Sequence, residues 1–139
     1  MAYSEKRMVA WGDCDPAGIL YTPRVYDYCT EALDNFFRTV LGCDWVALLA
    51  GGNGQPMVHT ECDYLKPMRP GLELTVTVTV TATGRSSVTY AIDGMAADGT
   101  AHFRARYVAC FIDIESGAAV PIPERFRAIL ERELAGHGQ

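Results

Sequence analysis

From Leu72 to Thr83 the chain alternates. Leu72, Leu74, Val76, Val78 and Val80 fall on one side of an extended backbone, and Glu73, Thr75, Thr77, Thr79 and Thr81 on the other. Successive side chains of a strand point to opposite faces, so the run builds a strand with one dry and one wet face, as half-buried antiparallel sheets require. Such a strand needs partners beside it and an apolar cover above it. The partners are legible: Tyr3 to Trp11 and Pro56 to Lys66 alternate roughly, and Val88, Tyr90 and Ile92 start a strand after the turn Gly84-Arg85-Ser86. Phe103 to Ile112 makes a last long strand behind the hairpin signal Asp98-Gly99. In the run from Pro56, Val58, Thr60, Cys62 and Tyr64 are expected on one side, with His59, Glu61 and Asp63 on the other.

The cover is a helix. Thr22-Pro23 reads as an N-cap followed by proline at the first helical position. Val25, Cys29, Ala32, Leu33, Phe36, Phe37, Val40 and Leu41 recur at helical spacing, and Gly42 is placed to end the run. At 1.5 Å per residue the helix spans roughly 27 Å, enough to cross a small domain. Trp45, Val46, Leu48 and Leu49 predict one or two more helical turns before Gly51-Gly52-Asn53-Gly54. That glycine run is read as a loop and not a phosphate cradle, because no strand precedes it and no lysine follows it. Pro121 to Ala135 closes the chain as a surface helix. A strand, a long helix and then a run of strands is the order of an α+β domain with a helix packed on an antiparallel sheet. With 139 residues, 49% of them hydrophobic, and no internal repeat, one domain over 1–139 is expected.

Composition removes several function classes. A formal charge of -5 lacks the attraction that a nucleic-acid partner needs. No apolar run approaches the roughly 20 residues that span a bilayer, so no membrane partner is expected. The cysteines at 14, 29, 43, 62 and 110 are odd in number and form no CxxC pair, and Tyr3-Ser4-Glu5-Lys6-Arg7 near the start is no signal-peptide core. Reduced thiols in a cytoplasm are the expectation.

The chemistry concentrates in Gly12-Asp13-Cys14-Asp15-Pro16-Ala17-Gly18, between the first strand and the long helix. Pro16 biases Asp15 toward an extended backbone, and the glycines permit tight turns on either side. Asp15 is either a presented, reactive carboxylate or an Asx-turn cap; Asp13 is expected to hold the loop by accepting backbone N–H groups. Cys14 as a thiol nucleophile with His59 as base is set aside, since nothing brings the pair together, and a lone cysteine is more often a small buried hydrophobe. His59, Glu61 and Asp63 have the period of metal ligands on a strand, but a solvated or ligand-lining face explains them as well, and no metal or other cofactor is expected.

The run Trp11-Gly12-Asp13-Cys14-Asp15-Pro16-Ala17-Gly18-Ile19-Leu20-Tyr21, followed by a helix and then Pro56-Met57-Val58, resembles the 4-hydroxybenzoyl-CoA thioesterase family. The likeness is to the branch with its aspartate in the loop before the central helix. It implies a hotdog fold, a long helix wrapped by a five-stranded antiparallel sheet, assembled as a homodimer or homotetramer with active sites at the subunit interface. It implies an acyl-CoA substrate, aryl or small acyl, cleaved to free acid and CoA. By position Asp15 matches the carboxylate that attacks the thioester or activates water, and the backbone N–H near Thr22 matches the donor to the developing oxyanion. Thr30 stands where the 4-hydroxybenzoyl enzyme receives the phenol. Tyr21, Tyr26 and His59 are placed with it as acyl-pocket residues. Arg85 matches part of a basic cluster that contacts the CoA nucleotide, whose neighbouring lysine is Ser86 here, so Lys66 and Arg69 join it as candidates. The rival readings are a short-chain aliphatic acyl-CoA thioesterase and a non-catalytic hotdog module that binds acyl-CoA or an acyl-carrier protein.

Overall fold

A computed structural model of the chain describes residues 3–137, with side chains for residues 3–136; the outermost residues of the expected 1–139 span lie outside them. Its centre is an antiparallel five-stranded sheet. In spatial order the strands are β1 (Tyr3–Met8), β4 (Glu73–Thr83), β5 (Ser87–Met95), β6 (Ala101–Cys110) and β3 (Met57–Tyr64), numbered by chain position. The alternating run is central: Leu74, Val76, Val78 and Val80 are buried while the threonines between them face the wetter side. Beside them, β5 contributes Val88, Tyr90 and Ile92, and β6 contributes Phe103, Ala105, Tyr107 and Ala109 to the same apolar face.

Helix α1 (Arg24–Phe36) lies on that face and buries Val25, Tyr28, Cys29, Ala32, Leu33 and Phe36. Each large side chain so buried contributes about 1.5–3 kcal/mol, so this layer is what holds helix to sheet. After Phe36 the helix widens into a π-type turn over Phe37–Leu41, in which Phe37 is buried against Trp45 and Phe126. Gly42, at φ 66°, then ends the helix as expected.

The other elements depart from expectation in small, explicable ways. The first strand stops at Met8, and Trp11–Asp13 coil into a 3-10 turn. Helix α2 (Trp45–Ala50) is capped by Asp44, whose Oδ1 accepts the Ala47 N–H at 2.8 Å. The glycine run that follows is not all loop: β2 (Asn53–Gly54) pairs with β7 (Ile112–Asp113), so the last expected strand ends at Cys110 and a short ladder follows it. Helix α3 (Glu124–His137) starts later than Pro121, because prolines at 121 and 123 hold an extended approach, and it buries Phe126 and Leu130. Gly94 is required: a Cβ there would stand 2.1 Å from the Phe103 ring on the neighbouring strand.

Strand β3 is the edge that α1 does not cover. A bulge between Met57 and His59 leaves Val58 as the extra residue, so it does not join Thr60, Cys62 and Tyr64 on the inner face and is 63% exposed. Thr60 and Tyr64 are themselves exposed although they share a face with buried Tyr107 and Phe103. The strand therefore offers an open backbone edge beside an inner face that is covered at Met57 and Cys62 and exposed at Thr60 and Tyr64.

Candidate active site

The loop after β1 is built by its own backbone. The Asp15 N–H donates to the Ile19 carbonyl at 3.0 Å, the Gly18 N–H to the Asp15 carbonyl at 2.9 Å, and Gly18 takes φ 80° to close the turn. Asp15 also forms the Asx turn expected of it, its Oδ1 accepting the Ala17 N–H at 2.9 Å. Cap and presented group are thus compatible. Among the described residues the second carboxylate oxygen carries no hydrogen bond or ion pair, and the side chain lines a cleft with Trp11, Gly12, Cys14, Pro16, Gly18 and Pro70.

The helix start differs from the expected cap. Thr22 makes no side-chain cap; the chain turns through Tyr21–Arg24, with the Arg24 N–H donating to the Tyr21 carbonyl at 2.8 Å, and Pro23 flanks the first helical residue. Tyr64, from the end of β3, fixes this turn by donating its hydroxyl to the Thr22 carbonyl at 2.8 Å. Burial pushes that phenol up to about 12, so at neutral pH it is a donor. Among the described residues the Thr22 N–H has no acceptor. It sits at the positive end of α1, where an unpaired N–H and the helix dipole both favour developing negative charge. Thr22 and Tyr64 line a second, more apolar cleft with Ile19, Leu20, Leu65, Lys66, Pro67 and Met68. The linings of the two clefts meet in one loop, where Cys14 of the first pairs with Leu20 of the second, and the Leu20 N–H donates to the Met68 carbonyl at 2.7 Å.

The remaining site residues divide. Tyr21 is 52% exposed beside this turn, and Lys66 lies in the second cleft. Arg69 is exposed in the segment between the two clefts, where its carbonyl accepts the Leu72 N–H. Tyr26 is half-buried with its ring 5.9 Å from that of Tyr107. Thr30 opens instead into a separate groove of about 430 Å³ along α1, with Arg7, Asp13, Arg24, Asp27, Glu31, Asp34 and Trp45. His59 faces the outer side of the sheet, its ring 2.8 Å from Glu61, which also receives Arg106 at 3.1 Å. These contacts hold the Glu61 carboxyl below its ordinary value, the His59 hydrogen bond first. Arg85 lies in the β4–β5 turn, and its carbonyl accepts the Ile122 N–H. That turn adjoins Cys110, whereas Lys66 adjoins His102, so within one chain Arg85 and Lys66 stand at opposite ends of β6. Sequence reasoning missed Tyr64 as a site residue, because a tyrosine ending an alternating strand gives no sign of what its hydroxyl will meet.

Asp13 does hold the loop, but not by the expected route. Its carboxylate accepts from the Tyr28 hydroxyl at 2.8 Å and lies near Arg7 and Arg24; it is its carbonyl that takes a backbone donor, the Tyr21 N–H at 2.9 Å. Cys14 is held as a neutral thiol: burial, then Asp13 and Asp15, raise its pKa above the ordinary thiol value. Cys14→Ala is therefore expected to keep any activity of this site within about threefold, since a thiol with a raised pKa is a poor nucleophile. A larger loss in a steady-state assay would return Cys14 to the chemistry.

Comparison with known proteins gives a consistent result. Residues 9–130 match the profile of the thioesterase-like superfamily. A 1,4-dihydroxy-2-naphthoyl-CoA hydrolase from Picosynechococcus sp. is 34% identical over 77 residues, which cover 55% of this chain and 52% of that protein. The match thus spans about half the length of that curated relative. A crystal structure of a thioesterase superfamily protein from Jannaschia sp. superposes with a TM-score of 0.88 at 30% identity, covering 96% of this chain and 93% of the other. A 1,4-dihydroxy-2-naphthoyl-CoA thioesterase from Synechocystis gives a TM-score of 0.86 over 94% of this chain and 96% of its own at 20% identity, a likeness of fold.

Proposed function

The chain belongs to the thioesterase-like superfamily, and from that premise we propose that it hydrolyses a hydroxyaryl-CoA thioester to the free acid and CoA. The observation that carries this reading is one pairing. Asp15, with one carboxylate oxygen free, and Thr22, with its N–H unpaired, line neighbouring clefts of one loop before α1. Hydrolysis needs both parts: a carboxylate to attack the carbonyl or take a proton from attacking water, and a donor for the oxygen that gains charge. In the water route, the water oxygen bonds to the acyl carbon and the C–S bond breaks. The thiolate then takes the proton that Asp15 received. Lys66, at the rim of the apolar cleft, fits the phosphate-bearing end of CoA.

The acyl group is the finer question. Curated relatives that match are named for a dihydroxynaphthoyl group and not for 4-hydroxybenzoyl, which favours a two-ring hydroxyaryl acid over a single ring. The same reading includes a homodimer paired along the open edge of β3, as the base of any larger assembly. Antiparallel pairing of two such edges brings the His59 end of one copy toward the Tyr64 end of the other, and so gives Arg85, which stands at the His59 end, a route to a site it does not reach in its own chain, while the His59 side chain stays on the outer face.

The test is a thiol-release assay over 1,4-dihydroxy-2-naphthoyl-CoA, 4-hydroxybenzoyl-CoA, a short aliphatic acyl-CoA and a carrier-bound acyl group. The highest kcat/KM is expected with the naphthoyl thioester. Preference for the aliphatic substrate would replace the aryl assignment, and binding of acyl-CoA without thiol release on any substrate would replace the enzyme by a binding module.

A further inference from the structure

Asp13 is a junction between three elements. Its N–H donates to the Ala10 carbonyl at 3.0 Å and its carbonyl accepts the Tyr21 N–H at 2.9 Å, so its backbone ties the strand exit to the residue before Thr22. Its carboxylate leaves the loop altogether and reaches Tyr28, one turn into α1, at 2.8 Å. The Tyr28 hydroxyl also accepts the Ala10 N–H at 3.4 Å, so a single oxygen bridges the strand exit and the loop. Tyr28 is buried, and Arg7 of β1 lies over its ring, 4.2 Å from the centroid and 3.6 Å from the Asp13 carboxylate. Arg7 is itself held at 3.0 Å by Glu31, and Arg24 stands 4.0 Å from the other Asp13 oxygen.

This arrangement is more than local packing needs. A phenylalanine at 28 would fill the same core position and keep the contact with Arg7, yet the chain buries a hydroxyl there and gives it both an acceptor and a donor. Burial and the bond to Asp13 push the phenol up to about 12, so it stays a donor across the neutral range. From the Tyr28 hydroxyl, Asp13 leads two residues on to Asp15 and, through its carbonyl and the Tyr21 N–H, to the residue before Thr22, beside the direct chain turn of Tyr21–Arg24.

We propose that Tyr28 is a positioning residue that, through its hydrogen bond to the Asp13 carboxylate, registers the Asp15 loop and the Thr22 amide on α1. Arg7 is its support, holding ring and carboxylate together from β1. The effect on turnover rests on the function proposed above; the effect on the loop does not.

The experiment uses the full chain with Tyr28→Phe, Asp13→Ala, Asp13→Asn and the Tyr28→Phe/Asp13→Ala double variant. A hydrogen bond to a charged group is worth enough to change a rate or an opening equilibrium by about ten- to a hundredfold. By hydrogen exchange, Tyr28→Phe is expected to speed exchange of the Asp15, Gly18 and Tyr21 amides about tenfold or more, with β4 and β5 unchanged. In turnover, Tyr28→Phe and Asp13→Ala are each expected to lower kcat by about tenfold or more with KM within about twofold, and the double variant to be no worse than either. Asp13→Asn, which keeps an oxygen for the Tyr28 hydroxyl, is expected to recover most of kcat. Unchanged exchange in the loop overturns the proposal, as do losses that multiply in the double variant. If native protein shows no thioester hydrolysis, the function proposed above falls, while the exchange measurements still decide the clamp. If Tyr28→Phe unfolds, the Asp13→Ala and Asp13→Asn pair decides it by the same readings.

Discussion

Asp15→Asn is expected to lower thioester hydrolysis by about two or more powers of ten, the usual contribution of a positioned acid, base or nucleophile. Asparagine is the informative replacement. Its side-chain oxygen can keep the 2.9 Å bond from the Ala17 N–H that holds the turn, while the free carboxylate oxygen becomes an amide nitrogen that neither attacks a carbonyl nor takes a proton. The loop's other bonds, from Asp15 to Ile19 and from Gly18 to Asp15, are backbone and do not depend on the substitution. Thermal unfolding within about 2 °C of native and unchanged binding of CoA in calorimetry, beside the rate loss, would assign the loss to chemistry, since substitutions that remove no buried contact change stability little. A variant with native kcat would sink the assignment of Asp15.

What could be read from the sequence was what repeats. The strict alternation of Leu72–Val80 fixes the faces of β4 whatever pairs with it, and the spacing from Val25 to Phe36 fixes the buried face of α1, because both periods belong to the backbone. Single interruptions of a period were not legible. The bulge at Val58 and the π-type turn after Phe36 each shift the pattern by one residue, and each sits at a contact that no local window contains: the bend of an edge strand, and the packing of Phe37 on Trp45 and Phe126.

The site divides along the same line. Asp15 and its turn were legible, because Asp-Pro-Ala-Gly determines its own backbone within a few residues. The end with the unpaired Thr22 N–H was legible only in part. A helix N-terminus exposes N–H groups by geometry, but the Tyr64 hydroxyl that holds the Thr22 carbonyl comes from 42 residues away in sequence. The basic residues were the least legible: Arg85 and Lys66 are equivalent as charges in a sequence, and only the register of β6 separates them to opposite ends of the sheet.

Phe36→Ala is expected to be the most damaging single substitution for the fold, at about 3–5 kcal/mol, against a total stability of about 5–15 kcal/mol for a domain of this kind. Phe36 is fully buried, and its ring meets those of Tyr3, Phe37 and Tyr90 edge-on, with centroids 6.4, 6.1 and 5.8 Å away. One side chain thus joins β1, the π-type turn and β5 to α1, and its partners are too rigid to fill the space it would leave. Urea unfolding should show the midpoint falling with little change in slope, and Tm should drop by roughly 10–20 °C. Val46→Ala, at a side chain 77% exposed, is the control and should stay within about 0.5 kcal/mol. A loss below about 1.5 kcal/mol in Phe36→Ala would mean that the ring cluster collapses onto the vacancy and is not the tie described. The two variants also separate fold from chemistry. Asp15 and Thr22 are set at the other end of α1, by Asp13 and Tyr64, so Phe36→Ala assayed where it is still folded should turn over at the native rate per folded molecule, whereas Asp15→Asn should be fully folded and nearly inactive.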